Sequence, residues 1–178
     1  LHTELGVAGS PYAPCTVDDL RTTKMDYWAL GHVHARKTPS MRPYMVYPGN
    51  TQGLDRSESG EKGCYLVDVG AYGTVTLKFI VTDAIRWMEV DISSFQNPEE
   101  LVREVVKQRA TLREKTGKPN IVRLILRGQG VLQKAVSTPE GQAYILQLLN
   151  DKEKFHHIFC YFAEIQDETK PFLNLEER

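Results

Sequence analysis

Hydrophobic and polar positions change their spacing partway along the chain. In the first part, short apolar runs lie between glycine-rich turns, a pattern typical of strands. These runs predict strands at residues 26–30, 44–47, 64–69 and 74–81. Thr16, followed by two acidic residues, predicts the N-terminal cap of a short helix. Successive strands with little helix between them indicate the closing antiparallel part of a sheet.

From residue 86 onward, the pattern predicts strands that alternate with helices. Residues 86–92 alternate polar and apolar side chains, as a half-buried strand does. Asn97, followed by Pro98 and two glutamates, is a strong helix-start signal. The helix that it begins has an apolar stripe of Leu101, Val102, Val105, Val106 and Leu112.

The rest of this part predicts a second strand, a second helix and a third strand. The second strand covers residues 121–127, and the helix after it starts near Ser137. Its predicted inner face consists of Ile145, Leu146, Leu148 and Leu149. Residues 155–165 predict the last strand. This β-α-β-α-β order predicts a compact α+β unit with a core of its own.

Composition excludes several classes of protein. The chain has 178 residues, of which 41% are apolar and 25% charged, so disorder is not indicated. A net charge of −1 gives no electrostatic footprint of a general DNA-binding protein. The three cysteines are widely spaced, which indicates thiols that stay reduced. With no apolar run of about 20 residues and no signal peptide, we expect a cytoplasmic protein without a membrane partner.

Candidate metal chemistry centres on residues 26–36. An apolar run ends at Gly31, which we expect to supply a sharp turn, and His32 and His34 follow. In an extended segment, residues two apart point to the same side. Imidazole is the commonest side-chain metal ligand, so the pair suits neighbouring divalent ions. Structural or incidental histidines are the alternative for this motif alone.

Three segments together carry a family resemblance. They are Leu1-His2-Thr3, the run from Asp26 to His34, and Val46-Tyr47-Pro48-Gly49-Asn50. In this order they resemble the later motifs of the calcineurin-like metallophosphoesterases, nearest to the DNA-repair exonuclease branch of SbcD and YhaO type. The early motifs of that family, Asp-x-His, Gly-Asp and Gly-Asn-His, do not occur. The resemblance therefore implies the C-terminal half of a larger enzyme.

The resemblance also implies a fold and a division into domains. Residues 1–84 would be the C-terminal portion of an α/β metallophosphoesterase domain, a β-sandwich flanked by helices. Residues 85–178 would be a small α+β capping domain over the metal site. This second assignment depends on motifs that are much less specific.

The resemblance further implies a ligand set for two divalent ions, most simply Mn²⁺. His2 and His32 would bind one ion and His34 the other. The missing half would supply the bridging carboxylate, the remaining ligands and the general acid. No catalytic residue is therefore assigned here, and the fragment alone is expected to be inactive. His156 and His157 are neighbours on a predicted strand and should point to opposite faces, so we expect no metal role for them.

Basic residues next to the histidines are candidates for DNA contact. Arg36, Lys37 and Arg42 could hold the DNA backbone by charge-assisted hydrogen bonds, and a solvated edge is the alternative. Weaker candidates are Arg56, Lys62, Arg123, Arg127 and Lys134. The implied partners are DNA and an SbcC-like ABC ATPase with a long coiled coil, and the full protein is expected to form a homodimer.

The leading hypothesis is thus a fragment of a metal-dependent DNA nuclease, an exonuclease or endonuclease that hydrolyses phosphodiester bonds in double-strand-break repair. One alternative is a non-catalytic module that binds DNA or a protein partner. Another is a phosphodiesterase with a small substrate. Metal dependence separates the non-catalytic module from both enzymes.

Overall fold

A computed structural model describes residues 1–7, 12–93, 95, 97–129 and 133–170. The chain forms two compact units with helices and several small sheets, a mixed α/β structure. One unit comprises Leu1–Leu54 and Gly60–Asp83, and the other comprises Asp55–Ser59 and the residues from Ala84 onward. In the part of the chain that is described, no helix is long and apolar enough to cross a membrane.

The first unit has one short helix and two sheets. Its elements are α1 (Val17–Arg21), β1 (Tyr27–Ala29), β2 (Lys37–Met41), β3 (Tyr44–Tyr47), β4 (Gly63–Val69) and β5 (Val75–Val81). The strand order in the first sheet is β1-β3-β2, with β1 parallel and β2 antiparallel to β3. Strands β4 and β5 form an antiparallel pair. A small core of Leu20, Leu30, Met45 and Tyr47 lies beneath the first sheet and α1.

The predicted cap of α1 is confirmed. The Thr16 hydroxyl accepts a hydrogen bond from the Asp19 backbone N–H at 3.1 Å. The Asp19 carboxylate in turn accepts one from the Thr16 N–H at 2.7 Å. This second bond favours the charged carboxylate and lowers the pKa of Asp19. Two backbone donors that the helix start leaves without partners are thereby satisfied.

Strand β2 was not predicted, and it changes the sheet. Because β2 occupies one side of β3 and β1 the other, β3 lies in the middle of its sheet and does not continue into the β4–β5 pair. The expectation of one antiparallel run is therefore wrong for β3. The sequence did not predict a strand here because Pro39, in the middle of β2, is unfavourable in most strands. An edge strand tolerates proline, because the missing N–H can lie on the unpaired side.

The second unit is a three-stranded parallel sheet covered on one face by helices. Its elements are β6 (Arg86–Ile92), α2 (Pro98–Thr116), β7 (Asn120–Gln129), α3 (Gln133–Val136), α4 (Pro139–Asn150) and β8 (Cys160–Lys170), with 3-10 turns at Arg56–Glu58 and Glu153–Phe155. The strand order is β6-β7-β8. Val122, Leu124 and Leu126 of β7 are fully buried at the centre of its core, as predicted.

The predicted helix starts of this unit are also confirmed. The Asn97 side chain accepts from the Glu100 N–H at 2.9 Å at the start of α2. Thr138 does the same for α4, where it accepts from the Gly141 N–H at 3.1 Å. Gly117 ends α2 with φ +61°, a left-handed conformation that glycine adopts without strain.

Two details of the predicted unit are wrong. Val102, Val106 and Leu148 were assigned to inner faces, but they are 44%, 54% and 55% exposed. The sheet covers only one side of each helix, so apolar residues at the margin of the stripe remain in solvent. The last strand begins at Cys160 and not at residue 155, and the neighbouring pair His156–His157 lies exposed in the turn before it.

A buried ion-pair network joins α2 to the start of β8. Glu153, 3% exposed, accepts hydrogen bonds from Arg113 at 2.5 Å and from the Cys160 N–H at 2.9 Å. Arg109 lies 3.2 Å from the other Glu153 oxygen and donates to the Leu149 carbonyl at 2.6 Å. Burial lowers the pKa of Arg109 and raises the pKa of the Cys160 thiol to about 11. The thiol is therefore neutral at physiological pH.

Glu153→Ala should strongly destabilise the second unit, because it leaves the Arg109 guanidinium buried without its carboxylate. Removing one member of a buried ion pair costs about 3–5 kcal/mol. The free energy of unfolding in urea measures the effect. Glu104→Ala is the control, because this partly exposed carboxylate pairs with Lys107 and Gln108 of the same helix and should matter little. Equal stability of the two variants would contradict the assigned role of Glu153.

Ion pairs also cross the outer face of the parallel sheet. Arg123 on β7 binds Glu89 on β6 at 2.9 Å and Glu164 on β8 at 2.5 Å. Arg56 binds the second oxygen of Glu164 at 2.5 Å. Partial burial acts to raise the pKa of Glu164, but the hydrogen bonds from Arg56 and Arg123 outweigh it and hold the pKa below its ordinary value.

A second row of charges lies beside the first on this face. Arg127 pairs with Asp91 at 3.2 Å and with Glu168 at 2.9 Å. Arg56, Arg123 and Arg127, the weaker candidates for DNA contact, are therefore each bound to carboxylates of their own chain.

Acid should weaken the second unit through Glu164. Because its pKa is lower in the folded state, the ion pairs stabilise the fold above the ordinary glutamate pKa of about 4.3, and the gain is lost as pH falls through the lowered value. Glu164→Gln should lower the melting temperature at pH 7 but flatten its fall between pH 5 and pH 3. Melting curves that fall in parallel for the variant and the natural protein would refute this contribution.

Candidate metal centre

The segment that carries His2 is fixed beside the end of β1. Gly31 donates its N–H to the Leu1 carbonyl at 2.8 Å and accepts from the Thr3 N–H at 3.2 Å. This parallel bridge aligns His2 with Gly31. Thr3 is fully buried, and its carbonyl accepts from the Tyr47 hydroxyl at 2.9 Å. A residue near the start of the chain is thus held against the strand that precedes His32.

The bridge places the rings of His2 and His32 face to edge. His2 Nε2 and His32 Nδ1 are 3.2 Å apart, and the ring planes meet at 76° with centroids 4.9 Å apart. Two imidazole nitrogens on one ion, each about 2.1 Å from it, are separated by ~2.9–3.4 Å for octahedral to tetrahedral angles. The observed spacing is that of a hydrogen bond between the two rings, and it also fits a shared divalent ion.

The sharp turn after β1 occurs at His32 and not at Gly31. His32 has φ +97°, in a region that favours glycine, whereas Gly31 has no positive φ and forms the bridge to His2. The prediction for Gly31 is therefore wrong. The segment is not extended at His32, so the rule that residues two apart share a side does not apply to His32 and His34. A non-glycine residue in such a conformation costs about 1–3 kcal/mol, a strain that is common at functional sites.

Two further side chains surround His32, and the sequence did not identify either. A Glu4 carboxylate oxygen lies 3.9 Å from His32 Nε2, opposite the nitrogen that faces His2. Tyr12 packs against both imidazoles, with ring centroids 4.5 Å from His32 and 5.1 Å from His2. Glu4 stands two residues after His2, a spacing that could have suggested it. Tyr12 gave no such signal.

His2 and His32 are the two potential metal ligands that the structure brings together here. Within the described residues, no group of three or more His, Cys, Asp or Glu side chains is placed to hold a metal ion. At 3.9 Å the Glu4 carboxylate makes no direct hydrogen bond to His32 Nε2; closing that distance would let it orient the ring, as carboxylates do behind metal-bound histidines. The chemistry of the pair suits a borderline divalent ion that accepts nitrogen ligands.

His34 lies on an exposed loop, and the backbone of this loop contacts the segment Gly49–Asn50. The His34 carbonyl accepts from the Asn50 N–H at 3.0 Å. Gly49 has φ +79°, and a Cβ added to it would lie 2.6 Å from the His34 carbonyl oxygen. The absence of a side chain at Gly49 therefore lets the histidine loop approach this backbone closely.

The three predicted DNA contacts occupy different settings. The Arg36 guanidinium lies over the Phe79 ring, 4.0 Å from its centroid. Lys37 begins β2, and Arg42 is in the turn that follows it; both are exposed. His156 and His157 belong to the second unit, and the absence of a metal role for them stays a prediction.

No protein-family model matches the chain. Similarity to a curated protein nevertheless supports a class, the metallophosphoesterases. That relative is the "Uncharacterized metallophosphoesterase YhaO" of Bacillus subtilis (strain 168), to which the chain is 37% identical over 169 residues. The match covers 93% of this chain and 41% of YhaO, so the chain spans less than half the length of its relative. The similarity supports the metallophosphoesterase part of the resemblance and does not reach its nuclease branch.

His2→Ala and His32→Ala should each weaken the binding of a divalent ion at least about tenfold, because each removes one of two nitrogens on a shared ion. Isothermal titration with Mn²⁺ and Zn²⁺ measures the change. His157→Ala, an exposed histidine of the second unit, is the matched control and should leave the affinity unchanged. If all three variants bind alike, the pair is not a metal site.

Proposed function

We propose that the chain is the C-terminal portion of a metal-dependent phosphodiesterase that cleaves DNA with two divalent ions, most simply Mn²⁺. The approach of His2 and His32 to 3.2 Å at the end of β1 is the observation that carries the proposal. The similarity to a protein named as a metallophosphoesterase supports the same reaction class.

The histidines would hold the ions as neutral imidazoles. His2 and His32 would bind one ion and His34 the other, and the remaining ligands would come from outside this chain. Bound ions would activate a water molecule and stabilise the leaving oxygen of a phosphodiester. Glu4 would fix the orientation of His32, and Tyr12 would shield one side of the histidine pair from solvent. Lys37 and Arg42 would contact the DNA backbone.

In this proposal, residues 1–84 complete a phosphoesterase β-sandwich and residues 85–178 form the capping domain. The second unit has its own core and helix caps, as a separate domain requires. The proposed partners of the whole protein are DNA, a second copy of itself and an ABC ATPase of the SbcC kind. Double-strand-break repair is the process in which such a nuclease would act.

His34→Ala in the complete protein should abolish Mn²⁺-dependent cleavage of double-stranded DNA while leaving the melting temperature nearly unchanged, because His34 is an exposed ligand and not a core residue. Release of labelled nucleotides, with and without a chelator, measures the activity. Full activity of the variant would refute the role of His34.

The same assay separates the competing functions. Cleavage of bis(p-nitrophenyl) phosphate but not of DNA would indicate a phosphodiesterase with a small substrate. DNA binding that survives chelation, without cleavage of either substrate, would indicate a non-catalytic module.

A further inference from the structure

We propose that Arg36 is a positioning residue for His34 that acts through the ring of Phe79, and that it is not a DNA ligand. The inference rests on the proposed function in one respect, that His34 is a metal ligand. It otherwise rests on contacts within the first unit.

The guanidinium of Arg36 is stacked on a ring that is itself fixed. Its Cζ atom lies 4.0 Å from the centroid of Phe79. Phe79 is paired across the β4–β5 hairpin with Tyr65, whose ring meets it nearly edge-on at 5.1 Å. A planar guanidinium gains both electrostatic and dispersion energy on such a face, which a lysine ammonium matches poorly.

The tip of the Phe79 ring lies close to the backbone of Gly63. A Cβ added to Gly63 would lie 2.9 Å from Phe79 Cζ and 2.1 Å from the Ile80 carbonyl oxygen. Gly63 also donates its N–H to the Asn50 carbonyl at 3.0 Å. The hairpin that holds Phe79 is therefore bonded to the segment that supports His34.

Two sets of contacts hold the backbone of residues 34–36. Gly49 leaves room only for hydrogen next to the His34 carbonyl and the Arg36 nitrogen, and Asn50 donates to that carbonyl. The Arg36 side chain also anchors the segment to Phe79. Removing the guanidinium removes this second set of contacts and lets the His34 peptide shift.

The stack holds the Arg36 guanidinium against Phe79, so this side chain is less free than an unstacked one to reach a phosphate. Lys37, the next residue, is exposed at the start of β2 and has no such stack among the described contacts. Lys37 is thus the matched control, because it carries the same charge as Arg36 and lacks the ring contact.

The test compares Arg36→Ala, Arg36→Lys, Phe79→Leu, their double variant Arg36→Ala/Phe79→Leu, and Lys37→Ala in the complete protein. Arg36→Ala and Phe79→Leu should each weaken Mn²⁺ binding about two- to fivefold, the size of an exposed cation–π contact, and the double variant should be no weaker than either. Arg36→Lys should recover only part of the loss. Electron paramagnetic resonance of free Mn²⁺ measures the affinity.

Two further measurements are independent of metal chemistry. Hydrogen exchange of the Asn50 amide, which donates to His34, should be faster in Arg36→Ala and unchanged in Lys37→Ala. The salt dependence of DNA binding should keep its slope in Arg36→Ala and lose about one unit in Lys37→Ala.

The inference would be overturned if Arg36→Ala reduced the salt slope of DNA binding and left both the Mn²⁺ affinity and the exchange of the Asn50 amide unchanged. Arg36 would then be a DNA ligand. If Phe79→Leu does not fold, Phe79→Tyr replaces it and should behave as the natural protein, because it keeps the ring face. His34→Ala with normal Mn²⁺ binding would sink the proposed function itself. Loss of binding in His34→Ala but not in Arg36→Ala would sink only this inference.

Discussion

The candidate site depends on one short piece of backbone pairing. Two hydrogen bonds, one from the Gly31 N–H to the Leu1 carbonyl and one from the Thr3 N–H to the Gly31 carbonyl, place His2 beside His32, although the two histidines are 30 positions apart. Tyr47 reinforces this bridge, because its hydroxyl donates to the Thr3 carbonyl and accepts from the Leu5 N–H. Without the bridge, His2 and His32 would not lie close enough to bind one ion together. Nothing else in the site would then account for the strained backbone at His32.

Elements with local signals were predictable from the sequence, and elements with non-local causes were not. The caps at Thr16 and Asn97 involve residues only three positions apart, so the sequence contains all of the relevant chemistry. Strand β2 exists because β3 lies beside it, and its own composition, with Pro39 in the middle, indicates a loop. The same limit applies to Val102, whose exposure is decided by where the sheet ends and not by the helical stripe.

The candidate site shows the same division. His2, His32 and His34 could be named from motifs, but their surroundings could not. Phe79 lies 43 positions after Arg36, and only the tertiary fold brings the two side chains together. A resemblance between motifs identifies atoms that can bind a metal ion. The packing around them determines how rigidly they are held, and rigidity is what a metal site requires.

The distribution of arginines limits how this chain can contact a polyanion. Arg123 and Arg127 are bound to carboxylates across the sheet, and their positive charge is largely neutralised there. Arg36 lies over an aromatic ring, whereas the exposed Lys37 and Arg42 next to the histidine loop have no such contact among the described residues. With a net charge of −1, the chain has no broad field that would attract DNA. The few basic residues at this site would therefore need the help of metal ions, where the site holds them, and of further cationic surfaces to bind a phosphodiester, because phosphate contacts position a duplex only where several cations act together.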